Sequence, residues 1–120
     1  MSDFKRLDVW KKSMDLVTQV YKTVAKFPKA ETYWLVDQIK RSSVSIPSNI
    51  AEWSNRSWQK TYTQFLYISR WSIAELETQL IIAKNLWFMK DEELENMIKK
   101  IEELNRMISW LIKSINQTTN

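Results

Sequence analysis

The 120-residue sequence contains no cysteine, no histidine and no glycine, and only two prolines. Without cysteine there is no disulfide framework and no thiolate metal site. Without histidine the usual zinc ligands and the commonest neutral-pH general base are also missing. Together these absences argue against hydrolytic or metal-assisted catalysis and leave carboxylate or lysine chemistry open. No apolar run approaches the roughly 18 residues needed to cross a bilayer. The opening MSDFKRLDVWKK has no apolar segment of the secretory kind. The expectation is a cytoplasmic protein with no metal, no cofactor and no membrane partner. The lack of glycine is the sharpest anomaly, since average usage would give a chain of this length about eight. In the other direction, the chain carries seven tryptophans.

Hydrophobic content of 44% and charged content of 27% are ordinary for a globular chain, and the length suits one domain over residues 1–120 with a single core. The net charge is +4 and unevenly spread: residues 1–60 hold 11 Lys and Arg against 6 Asp and Glu, residues 61–120 hold 7 against 8. Such asymmetry favours an anionic partner, although a charge of this size is also what solubility alone requires.

Apolar spacing carries the fold. Leu7, Trp10, Met14, Val17, Tyr21 and Val24 step by three and four. So do Leu94, Met97, Ile101, Leu104, Ile108, Leu111 and Ile115. Tyr62, Leu66, Ser69, Ile73, Leu76, Leu80, Ala83 and Trp87 follow the same rule, and Leu35, Ile39, Ser42, Ile46, Ile50 and Trp53 do so with polar members. These are the seams of left-handed helix packing. Pro28 closes the first helix, Ser57 is a suitable N-cap for the third, and Asp91, Glu92, Glu93 and Glu95 give the fourth an acidic first turn. Short loops make sequence neighbours antiparallel. The expected fold is all-α, an up-down-up-down four-helix bundle with helices at about 5–27, 31–54, 58–87 and 91–115. Pro47 falls inside the second helix, where it removes one backbone hydrogen bond. Either one helix kinks there, the preferred reading, or two shorter helices meet there. Ser43 and Ser45 are placed to bond freed carbonyls.

The strings LDVWKKSMDLV, YKTVAKFPKAETYWLVDQIKRSSVSIPSNIAEW and QFLYISRWSIAELETQLIIAKNLWF resemble the four-helix-bundle proteins encoded within intervening sequences of bacterial 23S ribosomal RNA genes. That family is also called S23-like and includes the accessory variability proteins of diversity-generating retroelements. The likeness runs from about residue 4 to residue 112. It implies a protomer that assembles into a homo-oligomeric ring, a pentamer, with a basic channel or surface, and partners among RNA, DNA and a nucleic-acid enzyme such as a reverse transcriptase. Where the family pattern reads glycine, this chain has Trp34, Trp53, Trp71 and Trp87; Trp58 and Trp110 fit the same origin, whereas Trp10 matches a family tryptophan. Trp replacing Gly throughout points to engineering or to a codon read differently in the source organism. At Trp53 the replaced glycine would have been a left-handed helix terminus, unless the helix continues. Trp34 and Trp71 are tolerated best facing solvent or a subunit interface.

Two residue sets are functional candidates. Gln38, Arg41, Ser42, Ser45, Asn49 and Glu52 recur on one face of the second helix. With Glu75 they form either an assembly seam or channel lining, or an ordinary solvated or register-fixing face. Lys40, Arg41, Arg56 and Lys60, interleaved with Trp53, Trp58 and Tyr62, have the basic-aromatic mix that grips single-stranded nucleic acid. Glu75 and Glu77 stand two residues apart, do not share a helix face, and make no acid–base dyad; no catalytic residue is expected. The function expected is that of a non-enzymatic oligomeric scaffold or accessory factor binding nucleic acid or a nucleoprotein. The alternative is a protein-interaction module without nucleic-acid affinity.

Overall fold

The computed structural model describes residues 3–56 and 63–118. A 3-10 turn at Phe4–Arg6 leads into four helices: α1 (Asp8–Val24), α2 (Lys29–Asn55), α3 (Gln64–Asn85) and α4 (Asp91–Thr118). No strand occurs among the described residues. Each helix packs on its sequence neighbours, and α4 closes back on α1, giving a rod of 50 × 21 × 21 Å. This is the expected antiparallel four-helix bundle.

Local chemistry sets the helix ends. The first connection is short because Phe27 is buried and Pro28, extended at ψ 117, starts α2. The Thr32 hydroxyl, also buried, donates back to the Pro28 carbonyl. At the start of α4 the Glu93 carboxylate accepts from the Lys90 N–H at 3.1 Å, while the Lys90 carbonyl accepts from Leu94. This side-chain return satisfies a donor that the helix leaves over. The proposed cap Ser57 lies outside the described residues, as do Trp58, Lys60 and Tyr62.

Helix α2 runs unbroken through Pro47, so the two-helix alternative fails. Ser43 and Ser45 do not serve the proline as expected. The Ser43 hydroxyl donates to the Lys40 carbonyl at 2.9 Å and Ser45 pairs with Ser72. It is Ser48 that donates within the proline's turn, to the Val44 carbonyl at 2.8 Å.

The core is aliphatic. Leu35, Ile39, Ile46 and Ile50 of α2 meet Leu66, Leu76 and Leu80 of α3 and Ile101, Leu104 and Ile108 of α4, all essentially inaccessible. Each such side chain contributes on the order of 1.5–3 kcal/mol when buried. For α2, α3 and α4 these are the stripes read from spacing, save that Trp87 lies outside α3 and is exposed. Helix α1 differs. Its core residues are Val9, Ser13, Leu16, Val20 and Val24. The expected seam is only partly in the core: Val24 is buried and Leu7 and Trp10 pack against the core, whereas Val17 is half-buried and Met14 and Tyr21 are exposed. Both rows step by three and four, and only Val24 belongs to both. The compact β-branched and Leu row is the one that fills the narrow space between α2 and α4.

Trp53 does not end a helix. It is buried, and α2 continues to Asn55. Trp34 and Trp71 face solvent, 60% and 63% exposed, and Trp110 is 66% exposed.

Candidate functional site

Helices α2 and α3 meet through small polar side chains. The Ser42 hydroxyl lies 2.7 Å from Gln79 Oε1 and 3.1 Å from the Ile39 carbonyl. Ser45 and Ser72 hydroxyls are 2.7 Å apart. Asn49 Nδ2 donates to the Ser45 carbonyl at 2.8 Å and lies 3.0 Å from the Ser45 hydroxyl. Ser69, fully buried, donates across to the Ile46 carbonyl at 3.0 Å. Serine's small volume lets the two backbones approach, and each hydroxyl finds a partner, as buried polar groups must.

Of the residues read as a polar seam, Ser42 and Ser45 reach α3, and Asn49 bonds Ser45 along α2. Gln38, Arg41, Glu52 and Glu75 are exposed and stand outside it. Arg41 Nε pairs with Asp37 at 3.2 Å, and Arg56 lies 3.7 Å from Glu52, each along the same helix. The α3 partners Ser72 and Gln79 were not singled out from the sequence, because they sit beside the apolar stripe rather than in it.

The basic candidates do not form one patch. Lys40 and Arg41 are separated from Arg56 by roughly 24 Å along α2 at 1.5 Å per residue. Lys40 Nζ stands 5.0 Å from the Tyr21 ring centroid, and the Arg56 guanidinium 5.5 Å from that of Phe65. Arg70 lies 5.9 Å from the Tyr67 ring. Two guanidinium–aromatic pairs therefore occur near the α2–α3 connection, a geometry that suits cation–π and stacking contacts.

On the opposite side Lys12 bridges α1 to Glu103 of α4 at 2.6 Å. The hydrogen bond with Glu103, and then its charge, raise the Lys12 pKa. The hydrogen bond from Lys12, and then its charge, lower that of Glu103. This pair is half-exposed and ties two helices together. A depression of about 880 Å³ lies at the α3–α4 turn, where Lys84 is already paired with Asp91 at 3.2 Å. Among the described residues no group of acids is placed to hold a metal ion, and no helix is long and apolar enough to cross a membrane.

A second surface is apolar. Trp10, Met14 and Val17 of α1 and Val44, Pro47 and Ala51 of α2 line an open groove of about 290 Å³ along the α1–α2 edge. On α1 it is built from the stripe of Trp10, Met14 and Val17, of which Trp10 also packs against the core.

The model of the family described as 23S rRNA-intervening sequence protein matches residues 5–110. Among solved structures, the chain is similar to a protein of unknown function from the S23 ribosomal protein family of Bacteroides thetaiotaomicron VPI-5482. The two share 24% identity over 88% of this chain and 98% of that one, with a TM-score of 0.76. No curated protein matches the chain.

Proposed function

The chain belongs to the 23S rRNA-intervening sequence protein family, and from that premise we propose that it is a non-enzymatic, self-associating bundle that holds nucleic acid or a nucleoprotein on a basic surface. The observation that carries the reading is the doubled apolar character of α1. One stripe fills the protomer core; of the other, Met14 and Tyr21 are exposed, while Trp10, which also packs against the core, and the half-buried Val17 join Met14, Val44 and Pro47 in lining the open groove. A monomer has no use for the second stripe, and an interface does.

The α2–α3 edge supplies a different face. On it Trp34 of α2 and Ile82 and Leu86 at the far end of α3 are exposed. Two unlike faces on either side of α2 favour head-to-tail contacts, which close into rings when the rotation allows. Five copies is the number the family resemblance implies. Repetition around a ring multiplies each protomer's Lys and Arg contacts with phosphate, and Arg56, Arg70 and their aromatic neighbours near the α2–α3 connection suit a single strand.

Light scattering tests the first half, with a mass of several protomers expected and a strict monomer refuting it. Fluorescence anisotropy with labelled single-stranded RNA and DNA tests the second. The apparent affinity should fall steeply as salt rises; affinity absent at low salt, or insensitive to salt, refutes it.

A further inference from the structure

Trp87 is the one described residue with positive φ, at 69°. It follows Leu86, the C-cap of α3, and occupies the first position beyond it. The Phe88 N–H bonds the Ala83 carbonyl at 2.9 Å and the Trp87 N–H bonds that of Lys84 at 3.0 Å. These are the paired bonds of a Schellman terminus, whose left-handed residue is usually glycine because a Cβ collides with the carbonyl there. A bulky side chain in that conformation is an outlier. Strain of this kind persists where surrounding structure enforces it, but the Trp87 side chain supplies no such support, since the residue is 92% exposed. The bond pattern that fixes the turn is all backbone.

The other described tryptophans fall into two groups. Trp10 packs against the core and meets Phe4 edge-on at 5.3 Å, and Trp53 is itself a core residue. Trp34, Trp71 and Trp110 are each at least 60% exposed, so most of the indole surface stays in water. The chain has no glycine anywhere, although its α3–α4 turn demands the conformation glycine provides.

We infer that the natural residue at position 87 is glycine, and that the tryptophan there is not what the source cell inserts. Backbone geometry carries this for position 87; exposure agrees with it at 34, 71 and 110, while the buried Trp53 gives it no support. The test is the mass of the protein isolated from the organism that carries its gene. Trypsin cuts after Lys84 and Lys90 and releases Asn85–Lys90, while the peptide Leu7–Lys11 reports Trp10. The expected result is the 85–90 peptide lighter by the difference between tryptophan and glycine. The same peptide at the mass of the tryptophan form overturns the inference.

Discussion

Replacing Trp87 by glycine should stabilise this protein, a rare direction for removing a large aromatic. The left-handed conformation at φ 69 costs a residue with a Cβ about 1–2 kcal/mol. Glycine releases that strain but gives the unfolded chain more freedom, which offsets about 0.5–1 kcal/mol. Little packing is lost because the side chain is almost wholly in water. The net gain is about 0.5–1 kcal/mol, a rise in the thermal midpoint of about 2–5 °C for a chain of this size. Circular dichroism melts of Trp87→Gly beside Trp87→Ala separate backbone from side chain. Alanine removes the indole equally well yet keeps the Cβ, so it should recover little of the gain. A glycine variant no more stable than the alanine variant would refute the reasoning.

Met14→Glu places a charge on the outer stripe of α1, and should lower the mass seen by light scattering while leaving the helical spectrum intact; an unchanged oligomer counts against that stripe as an interface. Ser69→Leu forces a larger side chain between α2 and α3 and removes the bond to the Ile46 carbonyl. It should cost about 1–3 kcal/mol by overpacking, read as a lower urea midpoint, and a midpoint equal to the parent's would count against close packing there. The Glu103 carboxyl is lowered in the folded state by Lys12, so its contribution is complete above the carboxylate's unfolded pKa and disappears as pH falls through the lowered folded one. Glu103→Gln should flatten that part of the acid limb of a stability–pH curve, and a curve of unchanged shape would mean the pair is too solvated to matter.

The bundle was legible in the sequence because on three of the four helices the more complete apolar row is the buried one. Leu35, Ile39, Ile46 and Ile50 outnumber the groove residues Val44, Pro47 and Ala51 on α2, and Met97, Ile101, Leu104 and Ile108 form the core row on α4. Helix α1 was misread because Trp10, Met14 and Tyr21 outweigh Val9, Ser13 and Val20 in size, and a spacing argument cannot tell a core row from a surface row when both repeat at the same period. The polar seam was half legible: Ser42, Ser45 and Asn49 stand out as polar residues along the inward side of α2, whereas Ser72 and Gln79 are identified only by the helix they touch. The left-handed turn at 87 was hidden for a simpler reason, since the residue that normally announces a helix terminus is absent from the chain.

The polar seam and the outer faces of α2 and α3 are mechanically linked. Ser69 donates to the Ile46 carbonyl and Ser45 meets Ser72, so a slip of α3 along α2 by one turn would strand a buried hydroxyl and put a larger residue at the closest approach. An unpaired buried polar group costs on the order of 1–3 kcal/mol, a large share of what a small bundle has to spare. Purely aliphatic seams tolerate such slips far better. The serines therefore help fix the height of α3 against α2, and with it how the exposed side chains of the two helices are arranged. In the ring proposed above one contact would repeat many times, and a protomer able to occupy two registers would offer two incompatible faces. Fixing the register inside each protomer would let identical copies meet identically, a use for polar residues that sit where an apolar stripe would bury more surface.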